Sequence, residues 1–265
     1  PYTTLFRSRD WEHDPFNHVI FARSVFADLP GSLDYGIAVW AKPLYTFFFA
    51  GLYQLLPSAW PALVVTQIVN ALLWTASSWL VLLTARDIFR QRQTILVLAM
   101  MCAFTFVAFR SSVSANTEPS AAFVVALAIW LWHRRRMLAA SLCFGLVMLA
   151  RTDGVFCVSI FALAAMLEPI RERRPNGLAI ALARGAVFAL PTALWNLAGF
   201  IQTGSPLFIV SDGYPSAFDV YGHGGPQEYL LSFLALDTVL TLAFAAGAWR
   251  VLQHPRAAGS LLVVS

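Results

Sequence analysis

The chain has 265 residues, of which 58% are hydrophobic and only 12% charged, with a net charge of +4 and a positive mean hydropathy. Soluble domains carry about one quarter charged residues, so this composition excludes an ordinary globular enzyme and describes a polytopic membrane protein. The basic residues fall in short clusters between apolar runs, with no aromatic-interleaved basic face that would speak for nucleic acid, and Cys102, Cys143 and Cys157 lie inside apolar runs without metal-ligand or disulfide spacing.

Residues 1–8 read as the in-frame translation of a sequencing-library adapter and are set aside as a scar, so the protein's own sequence is expected to start near Arg9. Three carboxylates follow at alternate positions, Asp10, Glu12 and Asp14, with His18 one helical turn beyond Asp14. The apolar run from Leu44 to Leu56 is bounded by Pro43 and Pro57. At about 13 residues it is short of the roughly 20 that cross a bilayer, and it predicts an interfacial or re-entrant helix. Residues 9–58 are therefore expected to form one external loop, with an acidic cluster and a juxtamembrane helix.

From 59 to 265 the sequence predicts a transmembrane helix bundle. Apolar runs at 60–85, 94–109, 119–132, 137–150, 154–167, 178–200 and 230–249 predict seven spans, and Leu261 opens a further run. Basic clusters occupy alternate connections: Arg86, Arg90 and Arg92; Arg134 to Arg136; Arg171, Arg173 and Arg174; Arg250 and Arg256. The intervening connections hold only Arg110 and Arg151, against Glu118, Asp153, Asp212, Asp219 and Glu228. The positive-inside rule assigns the first set to the cytoplasm and the second to the exterior, which places the acidic cluster outside.

Asp14 is the candidate general base. It precedes Pro15, so it is equally placed to cap a helix starting there. Asp10, Glu12 and Asp14 would repel one another unless a cation joined them, and their hard oxygens suit Mg2+ or Mn2+. Only about 21 Å of helix separates Arg136 from Arg151, where the hydrocarbon core is about 30 Å, so Arg151 is expected below the outer surface. A guanidinium at that depth wants a partner, either Asp153 across the turn at Gly154 or the phosphate of a lipid. Glu118 precedes Pro119 at a helix start and reads as a cap or as a site contact. Asp237, inside the last complete run, is either functional or hydrogen-bonded within the bundle.

The order of short motifs resembles membrane glycosyltransferases of the GT-C type, whose relatives include protein O-mannosyltransferases, lipid A aminoarabinose transferases and oligosaccharyltransferase catalytic subunits. Asp14-Pro-Phe-Asn-His18 is similar to their Asp-Pro-Tyr type of motif, and Leu149-Ala-Arg151-Thr-Asp153-Gly154 to their Arg-Pro-Glu-Gly turn. Lys42-Pro43-Leu44 stands where relatives often read His-Pro-Pro-Leu, with Lys42 in place of the first histidine. Leu83-Thr-Ala-Arg86, Asn116-Thr117-Glu118, and Trp195-Asn196 leading to Gly204-Ser-Pro-Leu-Phe208 complete the series. The resemblance implies an all-α polytopic bundle in a bacterial inner membrane with its site facing the periplasm. It implies transfer of a sugar from a polyprenyl-phosphate donor to a lipid, glycan or protein acceptor, with inversion. In that scheme Asp14 is the base, Glu12 and Asp10 support it or ligate a metal, and His18, Lys42, Glu118, Arg151 and Asp153 contact substrate. The other readings of the same residues are a transporter, flippase or polymerase of lipid-linked glycans, or a GT-C-like protein without activity.

Overall fold

The computed structural model describes residues 43–56, 59–89, 117–151 and 154–205, with a few helical residues between 92 and 100. Every regular element among the described residues is an α-helix: α1 (Pro43–Leu55), α2 (Ala59–Ile88), α3 (Glu118–His133), α4 (Met137–Ala150), α5 (Gly154–Arg171) and α6 (Gly177–Thr203). The helix α4 coincides with its apolar run, because arginines flank it at both ends. α5 and α6 extend past theirs and take in Glu168, Arg171 and Thr203. The expected span at 230–249 lies outside the described residues, as does most of 94–109.

Two described helices are long and apolar enough to cross a bilayer, over Leu63–Ile88 and Gly177–Ile201. α3 and α4, with 16 and 14 residues, rise about 24 and 21 Å, short of a hydrocarbon core of about 30 Å. The long helix α2 is turned inside out relative to a soluble core helix. Its buried face carries Thr66, Asn70, Ser77 and Thr84, while Ile68, Leu72 and Trp79 are more than half exposed. Two of the buried hydroxyls are satisfied within the helix, Ser77 donating to the Leu73 carbonyl at 2.6 Å and Thr84 to that of Leu80 at 2.9 Å.

Two tight reversals set the antiparallel order. α3 closes in a Schellman arrangement, with Arg135 left-handed (φ 61°) and the Arg136 N–H donating to the Leu131 carbonyl at 2.9 Å. α5 closes the same way on Arg173 (φ 51°), the Arg174 N–H reaching the Pro169 carbonyl at 3.0 Å. Glycine is the usual occupant of such a position, and a side chain there costs about 1 kcal/mol. Asn176, also left-handed at φ 60°, then leads into α6.

The core sits between α3, α4 and α5. Small residues let these helices approach: Ala128, Ala140, Ala150, Ala162 and Ala165 are buried around Phe144, Val147 and Val158. Trp132 on α3 meets Phe144 of α4 and Phe161 of α5 edge-on, with ring centroids 6.5 and 6.4 Å apart. α4 and α6 approach tightly at Gly145, where a Cβ would lie 2.1 Å from the Phe188 carbonyl oxygen and 3.2 Å from Pro191 Cδ.

Within α5, Pro169 has no N–H for the carbonyl of Ala165, one turn earlier. Arg184 of α6 replaces that donor, its Nη1 lying 2.5 Å from the Ala165 oxygen and 3.0 Å from Glu168 Oε2. Glu168 Oε1 accepts from Arg135 at the α3–α4 turn. Arg184 and Glu168 are only 4% and 6% exposed, so one buried carboxylate ties three elements together.

Two outcomes follow for thermal unfolding of the purified protein. Gly145→Ala lowers stability by about 1–3 kcal/mol, because overpacking outweighs the helix-propensity gain of about 0.5–1 kcal/mol. Gly51→Ala, with nothing within 4 Å, leaves it unchanged or raises it. Arg184→Leu costs about 3 kcal/mol through the unpaired Glu168 Oε2, left with Arg135 alone on its other oxygen, and the Ala165 carbonyl, and in a Pro169→Ala background that loss shrinks by about 1–2 kcal/mol. Strictly additive losses would refute the link between Pro169 and Arg184.

Candidate functional site

The end of the bundle away from the two reversals brings together Glu118 and Arg151. α3 opens on Thr117-Glu118-Pro119, with proline in the first turn and Thr117 buried without a side-chain capping bond. Glu118 is thus a helix-start carboxylate that offsets the dipole, as its position before Pro119 predicts. It also does more than cap, since its Oε1 accepts from Arg151 Nη1. Arg151 follows the last residue of α4 with extended backbone (φ −155°, ψ 122°), and its own N–H stays tied to the Val147 carbonyl at 2.8 Å. The two side chains are 27% and 38% exposed, neither buried nor fully solvated. The second oxygen of Glu118, Oε2, is itself buried and has no hydrogen-bond partner among the described residues.

Other helices converge on this end. α1 contributes Tyr45, only 2% exposed, whose phenol oxygen lies 3.4 Å from Asn70 Nδ2 of α2. Burial pushes the Tyr45 phenol well above the ordinary tyrosine range; the Asn70 hydrogen bond opposes the rise and the negative charge of Glu118 adds to it. Phe47 of α1 meets Trp195 of α6 edge-on at 5.7 Å. Tyr45, Asn70, Glu118 and Arg151 therefore bring polar groups from four helices to one end, beneath an aromatic contact to a fifth.

Asp10, Glu12, Asp14, His18, Lys42 and Asp153 lie outside the described residues, so of the sequence-derived site residues the structure brings together Glu118 and Arg151. Among the described residues there is no group of three or more His, Cys, Asp or Glu side chains that could hold a metal ion, and the oxygen donors considered for Mg2+ or Mn2+ lie elsewhere in the chain.

The opposite end holds charged contacts that sequence reading missed. Asp87 at the end of α2 lies 3.5 Å from His133 Nε2 and 3.4 Å from Arg134 Nη2, and Arg134 also stands over the Trp130 ring at 5.7 Å. Beyond the Glu168 network, Arg174 Nε donates to Glu172 at 2.7 Å and holds that exposed carboxyl below its usual range. A signal for the pairs that join neighbouring helices was present. Glu168 and Arg184 are equidistant along the chain from Asn176, and Glu118 and Arg151 from the 134–135 turn, as residues facing each other across an antiparallel hairpin must be.

Comparison with protein-family models, with curated proteins and with solved structures finds no match to this chain.

A double-mutant cycle of Glu118→Gln and Arg151→Met measures the pair. Its partial burial places the coupling at about 1–2 kcal/mol, above the 0.2–1 kcal/mol of exposed pairs and below the 3–5 kcal/mol lost on breaking a buried one. A coupling near zero in thermal unfolding would reduce the contact to surface decoration.

Proposed function

We propose that this protein is a GT-C-type membrane glycosyltransferase that moves a sugar from a polyprenyl-phosphate donor to an envelope acceptor at the Glu118–Arg151 end. The observation that carries the reading is that pair. It sets a phosphate-matching guanidinium beside a carboxylate whose second oxygen has no partner among the described residues, at the end remote from the basic connections. The membrane setting is supported by α2 and α6, in whose spanning windows only 17% of residues are buried, and by the polar buried face of α2. With the arginine-rich end cytoplasmic, the Glu118–Arg151 end faces the exterior, in a bacterial inner membrane the periplasm.

In this mechanism the acceptor hydroxyl oxygen attacks the anomeric carbon from the face opposite the phosphate, while Asp14 takes its proton. The bond from the anomeric carbon to the phosphate oxygen breaks, the polyprenyl phosphate leaves with the electron pair, and the configuration inverts. Arg151 meets the charge that grows on the departing phosphate, exchanging its hold on Glu118 for phosphate oxygens. Glu118 Oε2 accepts a hydrogen bond from a sugar hydroxyl and orients the donor. Asp10 and Glu12, with Asp14, offer the hard oxygens that Mg2+ or Mn2+ takes, and a dication there would offset the repulsion among three carboxylates. His18, Lys42 and Asp153 complete the proposed substrate contacts.

One observation favours a second reading, a transporter or flippase of lipid-linked glycans. The Glu168–Arg184 pair is a buried ionisable pair inside the bundle, the kind of group that marks a translocation path.

The test uses proteoliposomes supplied with a panel of radiolabelled polyprenyl-phosphate sugars and envelope acceptor extract. Asp14→Asn is expected to lower turnover by about 10²–10⁴-fold with donor binding intact. Arg151→Ala is expected to lower kcat and to raise the KM for donor, and Glu118→Gln chiefly the KM. Movement of labelled lipid between leaflets without transfer, abolished by Glu168→Gln, would replace the transferase with the transporter.

A further inference from the structure

We propose that the seam between α4 and α6 binds an anionic glycerophospholipid, its phosphate on the arginines at the basic end and one acyl chain along the seam. The inference rests on the membrane reading above and not on glycosyl transfer.

A cavity of about 860 Å³ opens at the basic end of this seam, and four arginines line it: Arg135, Arg136, Arg174 and Arg184. The carboxylates near them are already engaged. Glu168 gives one oxygen to Arg135 and the other to Arg184, and Glu172 pairs with Arg174. Arg136 is exposed and makes no ion pair among the described residues. Four guanidiniums against two carboxylates leave a surplus of positive charge, which an anion is suited to neutralise.

The rest of the cavity wall is apolar, and the same rows of side chains continue past it. Leu138, Leu142 and Leu149 share one face of α4; Ile180, Leu190 and Leu194 share the facing side of α6. A second cavity of about 400 Å³ lies farther along the seam, lined by leucines, Pro191 and Trp195. From Leu138 to Leu149 the helix rises about 17 Å, close to half of a hydrocarbon core of about 30 Å. Inorganic phosphate would use the arginines and leave the leucine rows idle. A zwitterionic lipid would fill the rows and bring its own cation to the arginines. A single ligand that uses both is a lipid with net negative charge, in the leaflet where basic pockets between helices hold acidic headgroups.

Native mass spectrometry of the full chain in neutral detergent provides the test, with phosphatidylglycerol and phosphatidylcholine of identical acyl chains as probes. One phosphatidylglycerol is expected to bind at least about tenfold tighter than phosphatidylcholine, with Arg136→Gln weakening it about fivefold, Arg136→Gln with Arg174→Gln further, and Arg136→Lys little. Leu142→Trp, which fills the seam and leaves the arginines alone, is expected to weaken it as well. Equal retention of the two lipids would reduce the seam to ordinary lipid contact and overturn the proposal. So would displacement of phosphatidylglycerol by millimolar inorganic phosphate, which would make this a free-phosphate site. Arg136 makes no described pair, so Arg136→Gln is expected to fold even where the double variant does not, and an unchanged affinity in it alone overturns the assignment. Selective phosphatidylglycerol binding in a protein that transfers no sugar would leave this inference standing and sink only the transferase.

Discussion

Pro169 removes a hydrogen-bond donor in the interior of α5, and Arg184 reaches across from α6 to supply it. The rest of the described bundle depends on that substitution of a side chain for a backbone N–H. A carbonyl left unpaired away from water costs about 1–3 kcal/mol, and a buried guanidinium without a counter-charge costs more. Glu168 meets the second demand and, through its other oxygen, holds Arg135 at the preceding turn. The α3–α4 reversal, α5 and α6 are therefore locked along their length by one polar node. Such a node sets register more than it adds stability, because the desolvation of its charges consumes most of their attraction. The alanine-rich faces of α3, α4 and α5 offer little to fix register by shape alone, and the node adds to what Trp132 and Phe144 supply there.

The two ends of the described bundle differ in their charges. At the basic end the charges are dense and mutually engaged, from Asp87 with His133 and Arg134 to Glu172 with Arg174. At the other end, among the described residues, Glu118 pairs with Arg151 beside Tyr45, Asn70 and the Phe47–Trp195 contact.

Helix positions were largely legible in the sequence. The flanking arginines bracket α4, and Pro43 with Pro57 bracket α1, since charge and proline each end an apolar helix for a local reason. The same counting marked Arg151 as a cation in want of a partner. Its described partner was passed over, because a carboxylate ahead of a proline at a helix start already has a sufficient local explanation in the dipole. Glu118 and Arg151 stand equidistant from the Arg134–Arg136 connection that the apolar runs placed, so the pairing was available in the spacing, whereas the left-handed backbone of Arg135 was not. Glu168 and Arg184 escaped for another reason. One sits just past the apolar run it belongs to and the other inside an apolar run, and attention to charges between runs passes over both. The proposed acidic site at Asp10, Glu12 and Asp14 rests on sequence and resemblance alone.

The contact at Gly145 has a mechanical side. To one side of this contact the seam is flanked by arginines, and to the other by Leu149, Leu194 and Trp195. At that point the two backbones meet with no side chain between them, so glycine acts as a spacer of zero thickness and any larger residue would force α4 and α6 apart.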